Sequence, residues 1–249
     1  MKKSTVAKLI AVITALLLWQ IISMAVGLDM LLASPLQVVH RILTVWREKG
    51  FISTVLFSAL RVFAGFFSAF ILGSVLGVVS GRFKAAEYML WPYIISFKSV
   101  PVASFIILCL IWLSSGQLTV FIAFLIAFPV IYGNVLEGIK STDPEMKEMC
   151  RLFKVPWRRS FIYVYLPSIK PFLISSCSVA AGMAWKAGVA AEIIGIVRGS
   201  IGEKLYEAKI YLQSADLFAW TIIIILLSAF MEKAFIFLLK RAFAGVEKL

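Results

Sequence analysis

The sequence predicts an all-α integral membrane protein of about six transmembrane helices, with a charged cytoplasmic loop between the fourth and fifth. Three observations carry that expectation. Of the 249 residues, 61% are hydrophobic and only 15% charged, whereas soluble domains sit nearer half apolar with about a quarter charged. Mean hydropathy is +0.97, and the apolar residues fall in runs of about 20 or more, the length a helix needs to cross hydrocarbon. The basic residues gather between those runs, mostly on one side.

The spans are drawn at 8–28, 59–80, 88–113, 118–137, 169–195 and 217–239. The N-terminus, MKKSTVAKLIAVITALLLWQIISMAVG, begins like a signal peptide. Its apolar run is long and lacks a small-x-small cleavage site, so it reads as a retained first span that serves as its own targeting signal. The segment LASPLQVVHRILTVWREKG follows. Ser34-Pro35 is a helix start, and Leu36, Val39, Ile42, Leu43 and Trp46 recur at helical spacing. A short helix is expected there, either on the outer membrane surface or capping the bundle. In the second span, Gly65, Gly73, Gly77 and Gly81 are spaced to let a neighbouring helix approach closely. The third span is interrupted at FKSVPVAS, which puts Lys98 and Pro101 inside an apolar region. A helix broken at membrane depth has to face protein or a water-filled cavity.

The loop after span four opens with STDPEM. Thr142 and Glu145 have capping-box spacing, and Pro144 suits a first turn. Met146, Met149, Cys150 and Phe153 then form one apolar stripe, with Lys147, Glu148, Arg151 and Lys154 on the other faces. Val155-Pro156 ends that helix, and a second short one runs from Trp157 toward Leu166-Pro167, where span five begins. An apolar stripe outside the bilayer needs a partner. The chain's own bundle, lipid and a groove in another protein are all open to it.

Orientation follows from Lys and Arg near the span ends. Lys2, Lys3 and Lys8, then Arg82 and Lys84, then Lys140, Lys147, Arg151, Lys154, Arg158, Arg159 and Lys170, and finally Lys240, Arg241 and Lys248 all fall on one side. That side is cytoplasmic, with both termini on it. The other side carries Arg41, Arg47 and Lys49, and also Arg198, Lys204 and Lys209, the latter three offset by Glu203, Glu207 and Asp216.

Several function classes fit the sequence less well, and an ion-gradient-driven secondary transporter stands as the alternative reading. The net charge of +12 is scattered between apolar runs with no basic domain, which argues against nucleic acid. Cys109, Cys150 and Cys177 match neither a disulfide framework nor a zinc site. With His40 the only histidine and no Asp in any predicted span, an embedded enzyme lacks a catalytic constellation, and no metal site is expected. There is no phosphate-binding G-x-x-x-x-G-K-[ST] loop; GSIGEKL at 199–205 lacks the Gly-Lys pair. An ion-driven secondary transporter would show repeated halves with matching broken helices, and one broken span is seen. Lys98, Lys186 and Glu192, near or within spans, each cost about 2–3.5 kcal/mol at the bilayer centre, so each faces the interior or snorkels. They line a path for a polar or anionic solute, or serve structurally as a Lys–Glu pair. Lys186 and Glu192 are six apart and point to different faces unless the helix breaks near Gly188. Trp185 reads as packing or as a solute contact.

The segment from Glu148 to Pro167 resembles the cytoplasmic signature loop of ABC-importer permeases: Glu-Ala-Ala, three residues, Gly, nine residues, Ile, one residue, Leu-Pro. Here Glu148-Met149-Cys150, Lys154 and Val164-Tyr165-Leu166-Pro167 keep the spacing, while both Ala and the Gly are replaced. LASPLQVV, SALRVFAGFFSAFILGSVLG, SVPVASFIILCLIWL, STDPEM and AWKAGVAAEIIG are similar to the nitrate, sulfonate and taurine importers of that family. The likeness covers nearly the whole chain.

The resemblance implies a single permease domain, 1–249. Within it, 1–57 hold the first span and the outer helix, and 58–240 form a five-span core. It implies that the loop is a coupling helix, docked on a cytoplasmic ATP-binding subunit through Met146, Glu148, Met149, Cys150, Arg151, Phe153, Lys154, Leu166 and Pro167. Glu148 makes polar contacts there, and Met149, Cys150 and Phe153 fill the groove. Lys154 stands where Gly permits a positive φ, at a cost of about 1 kcal/mol for a side chain. The partners implied are two ATPase subunits holding ATP and Mg, a second permease chain forming a homodimer, and an external solute-binding protein; this chain binds no cofactor itself. Lys98, Pro101, Trp185, Lys186 and Glu192 are candidates for the translocation path. The solute is small and polar, a sulfonate-like organic anion or a vitamin-related heterocycle, and the location is the cytoplasmic (inner) membrane.

Overall fold

Helix is the only regular structure among the described residues, 2–246 of the computed structural model. Lys248 and the side chains of Lys2 and Lys3 lie outside the described part. In chain order the helices are α1 (Lys2–Val26), α2 (Pro35–Val45), α3 (Phe51–Arg82), α4 (Lys84–Ser99), α5 (Val102–Cys109), α6 (Ser115–Lys140), α7 (Pro144–Leu152), α8 (Trp157–Ser160), α9 (Leu166–Ile194), α10 (Ile201–Ile210) and α11 (Ser214–Val246). A single π-turn, Phe161–Tyr165, joins α8 to α9.

Five stretches are long and apolar enough to cross a bilayer: Val6–Val26, Phe51–Arg82, Ser115–Lys140, Trp157–Ile194 and Ser214–Ala244. The third predicted span is not one straight crossing. α4 and α5 meet at 103°. Val100 is extended and Pro101 begins α5, because the proline ring keeps its predecessor out of helical geometry. α5 has 8 residues, too few to cross alone. It lies over α6 and α9, where Ile106 and Cys109 pack against Leu118, Ile122, Ala187 and Ala191.

The core is the trio α3, α6 and α9, whose two seams are the most extensive in the chain. Lipid tails are as apolar as leucine, so close van der Waals packing, not water exclusion, holds helices together in a bilayer. The glycines of α3 permit it. A Cβ at Gly65 would sit 2.3 Å from the Val120 carbonyl oxygen, and one at Gly77 would sit 2.9 Å from Val135. Phe66, Ile131, Val135 and Trp185 fill the space between the helices and are fully buried.

Around this core, α2 begins at Ser34, whose hydroxyl accepts from the Gln37 N–H while the Gln37 side chain accepts from the Ser34 N–H. Val38 and Val45 are buried, but Leu36, Val39, Leu43 and Trp46 stay exposed. The helix therefore does both things expected of it: one side packs on α11, the other faces outward. Arg41 ties it down by bonding Asp216 at the start of α11 and Glu48. Burial works against the Arg41 charge, yet the hydrogen bonds and charges of Asp216 and Glu48 outweigh it and raise its pKa. α1 touches the rest mainly near its end, through Trp19 to the Ala33 carbonyl and the Phe218 ring.

The end of α3, the start of α4, the end of α6, α7 and α8 all meet at one end of the bundle. Arg82 stacks on Trp157, Lys140 pairs with Glu87 at 2.7 Å, and Lys170 lies over Phe243. α2, α10 and the start of α11 occupy the far end.

Filling the α3–α6 seam should be costly. Gly65→Val is expected to destabilise by about 1–3 kcal/mol through overpacking, seen as a lower melting temperature in nanodiscs. Gly182→Ala, at a position with open space around it, should leave melting unchanged.

Candidate docking loop and translocation face

Two regions carry groups that the fold itself leaves unpartnered. The first is the loop around α7. Asp143, not Thr142, caps the helix: its carboxylate accepts from the Glu145 N–H at 2.9 Å. Thr142 is instead buried and donates to the Gly138 carbonyl of α6, so the expected capping box does not form. Pro144 takes the first helical position as predicted. α7 buries no residue. Leu152 and Phe153 are 74% and 77% exposed and Met146 and Met149 about two-fifths exposed, so the chain's own bundle leaves much of the stripe open. Cys150 departs from the predicted stripe. It turns toward Lys147, Arg151 and Lys154, and these four line a crevice between α7 and the bundle. Glu148 lines a neighbouring crevice with Pro144, Lys147, Arg151 and Leu152.

The turn after α7 is decided by Lys154. Its φ is +50°, so the left-handed turn that Gly would permit is formed with a lysine. The Val155 N–H donates to the Cys150 carbonyl at 2.9 Å and the Lys154 N–H to the Arg151 carbonyl at 3.1 Å. That pair of bonds is the Schellman closure, which satisfies carbonyls left free at a helix end. A left-handed non-glycine costs roughly 1–2 kcal/mol, and these two bonds offset it. Leu166 and Pro167 do not start a new helix after a break. α8, the π-turn and α9 run on continuously, and the Leu166 N–H reaches back to the Phe161 carbonyl. The wider turn accommodates Pro167, which has no N–H and crowds the preceding turn.

The second region comprises two exposed stretches within the apolar helices. Lys98, Ser99, Pro101 and Ser104 around the α4–α5 break are exposed, as are Val179, Met183 and Lys186 along one stripe of α9. Lys98 Nζ lies near Gly133, in the half of α6 nearer α7. Lys186 precedes by two residues Gly188, which packs near Thr119 in the opposite half of α6. Counting residues along α6, the two lysines sit about 18 Å apart along the bundle axis at 1.5 Å per residue.

Glu192 and Trp185 go the other way. Both are fully buried. Glu192 Oε2 accepts from the Ser58 hydroxyl at 2.8 Å and the Gly202 N–H at 3.2 Å, and Ser58 Oγ accepts from the Ile201 N–H at 2.9 Å. With Ser200 Oγ accepting from the Glu203 N–H, the first three N–H groups of α10 are satisfied. Glu192 thus joins α9, α3 and α10, and pairs with no lysine. α9 stays helical through Gly188, so Lys186 and Glu192 take different faces, as their spacing predicts. The Ser58 partnership escaped sequence reasoning, since 134 residues separate the two and Ser58 reads as an ordinary small residue of a span.

Apolar helices in a bundle, one broken span and lysines exposed within the apolar helices together describe a multi-pass membrane transport component. The chain belongs to the family of binding-protein-dependent transport system inner membrane components, whose family model matches residues 69–243. Its relatives are named as transport permeases. One from Bacillus subtilis, named for aliphatic sulfonates, is 28% identical over 237 residues, covering 93% of this chain and 83% of its own length. The taurine transport system permease of Escherichia coli is 24% identical over 220 residues, covering 86% and 80%. The nitrate import permease of Synechococcus elongatus is 28% identical over 207 residues, covering 78% and 72%.

Lys154→Gly should relieve the left-handed strain. Amide exchange over residues 150–156 is expected to slow by about fivefold, equivalent to roughly 1 kcal/mol. Lys154→Val, β-branched and worse at positive φ, should speed it.

Proposed function

We propose that this permease is the membrane subunit of an ATP-driven importer and that α7 is the element through which a separate ATP-binding subunit moves it. The single observation that carries the reading is the α7 stripe: four large apolar side chains on a helix that buries nothing, at the basic end of a chain of this family. A short amphipathic helix laid in a partner's groove uses anchors at such spacing. Met146, Met149 and Phe153 are the anchors, with Glu148 as a polar contact. Cys150, Arg151 and Lys154 lie behind them, and Leu166 and Pro167 at the base of α9 carry the movement into the span. The α7 end is cytoplasmic, since cytoplasmic loops collect Lys and Arg, and both termini share that side of the inner membrane.

A second copy of the chain covers both exposed stretches. An open helix break cannot face hydrocarbon, where unsatisfied backbone groups cost several kcal/mol each, and neither can Lys98 or Lys186. Facing the same surface of a second copy, they line a water-filled path with positive charge at two depths. That supports a small anionic solute, in keeping with relatives named for nitrate, sulfonates and bicarbonate. Pro101 supplies the break; Trp185 and Glu192, buried within one chain, shape the path's wall and do not touch the solute. An external binding protein delivers the solute to the far end, and ATP and Mg are handled by the ATPase pair. Closure of that pair shifts the population between inward- and outward-facing states.

Co-purification of the tagged chain from its native membrane should bring down an ATP-binding protein. Phe153→Asp should weaken that association by about 2 kcal/mol, some thirtyfold, as removal of a central anchor does, and Glu148→Ala less. An ATPase recovered equally with all variants would remove α7 from this role. Lys186→Met, at wild-type protein levels, should slow vesicle uptake of nitrate or an alkanesulfonate at least tenfold, with Lys186→Arg retaining most of it. Unchanged uptake by Lys186→Met would exclude a charged path at that depth.

A further inference from the structure

We propose that the crevice behind α7 is a binding site for a phosphoryl group. It has a volume of about 370 Å³, and Arg82, Lys147, Arg151 and Lys154 all line it. No Asp or Glu does. Among the described residues none of these four cations is in an ion pair; Lys147 donates to the Lys140 carbonyl. Four positive groups around one cavity repel each other, and a multiply charged anion removes that repulsion.

The geometry favours a phosphoryl group over a simple halide. Arg82, from the end of α3, lies 4.1 Å over the Trp157 ring. Its guanidinium plane is thereby fixed, and its N–H fork matches two oxygens of a phosphate. Arg151 presents a second fork from α7, while Lys147 and Lys154 add point charges. Ser160 and Tyr165 line the same wall. The crevice sits where α3 ends and α9 begins, flanked by Trp157 and Tyr165, side chains that favour the membrane–water boundary. Phospholipid phosphates occupy that level, and basic pockets between helices there take anionic headgroups. A free phosphate-bearing solute offers the same chemistry. In either case the bound group braces α7 from behind and leaves its apolar face open, so occupancy tunes the position of the helix that the ATPase would grip. The site itself does not depend on that docking.

The test uses the full chain purified in mild detergent, with Arg82→Gln/Arg151→Gln as the variant and Lys84→Gln as a control outside the crevice. Native mass spectrometry after detergent exchange should show one retained phospholipid on the wild type and control, and at least tenfold less on the double variant. That outcome identifies a lipid headgroup. If no lipid is retained, inorganic phosphate should raise the melting temperature saturably at constant ionic strength, in the wild type and not in the variant; that outcome identifies a free phosphate. Arg82→Lys, which keeps the charge and loses the fork, should bind at an intermediate level and serves as the folding check. The proposal is overturned if neither ligand binds, or if the double variant binds as well as the wild type. It is equally overturned if the isolated chain binds nothing and the variants only weaken capture of an ATP-binding subunit, which would make the four cations a protein contact.

Discussion

Hydrocarbon offers no hydrogen bonds, and nearly every feature of this permease is a response to that. Regular helices satisfy their own backbone, so they can be held together by shape alone. The α3–α6 seam does this with glycines, one of them bringing backbone to within contact of the Val120 carbonyl. The same constraint explains the buried Glu192. One oxygen of this core carboxyl, Oε2, is satisfied by Ser58 and Gly202, with Ser58 in turn bonded to Ile201, while Oε1 is buried without a partner among the described residues. The carboxyl does at the start of α10 what a capping side chain normally does, but from another helix. The constraint is strained at Val100–Pro101 and at Lys98 and Lys186, where an open helix break and two charges lie exposed among the apolar helices.

The two ends of the molecule are organised differently. At the far end, local caps and one three-way arrangement of Arg41, Glu48 and Asp216 hold α2 and α11 together. At the α7 end, charge is left largely uncompensated and large apolar side chains point outward. A rigid core with one unfinished, basic end suits a subunit whose motion is imposed by a partner. The Lys154 turn belongs to the same picture: the helix is closed firmly by two backbone bonds even though the residue type disfavours the conformation, so α7 is presented as a defined element and not a frayed tail.

Much of this was legible in the sequence. The spans, the Ser34 start, the break at Pro101 and the α7 helix rest on local rules of length, capping and proline sterics, and those rules act within a few residues. The opposite faces of Lys186 and Glu192 followed from helical phase. Five features did not follow. The cap moved from Thr142 to Asp143 because Thr142 finds a buried acceptor in the preceding helix. Cys150 left its stripe because it lies at the stripe's border, where phase alone does not choose between neighbours. The π-turn before Leu166, the Ser58–Glu192 bond and the Arg82–Trp157 stack depend on contacts distant in sequence or on a helix absorbing a proline without breaking. No periodicity reports those.

The central claim is that the face holding the helix break and both lysines meets water and a second copy, not lipid. Gly182→Cys tests it most directly, since that position has open space around it on the same stripe as Lys186. Cys150→Ser removes the half-exposed background thiol, and Cys109 and Cys177 are buried. In native membrane vesicles the account predicts labelling of Cys at 182 by a water-soluble, membrane-impermeant maleimide from one side, together with oxidant-driven cross-linking of two chains. Reaction only with a lipid-soluble reagent, and no cross-linked dimer, would contradict it.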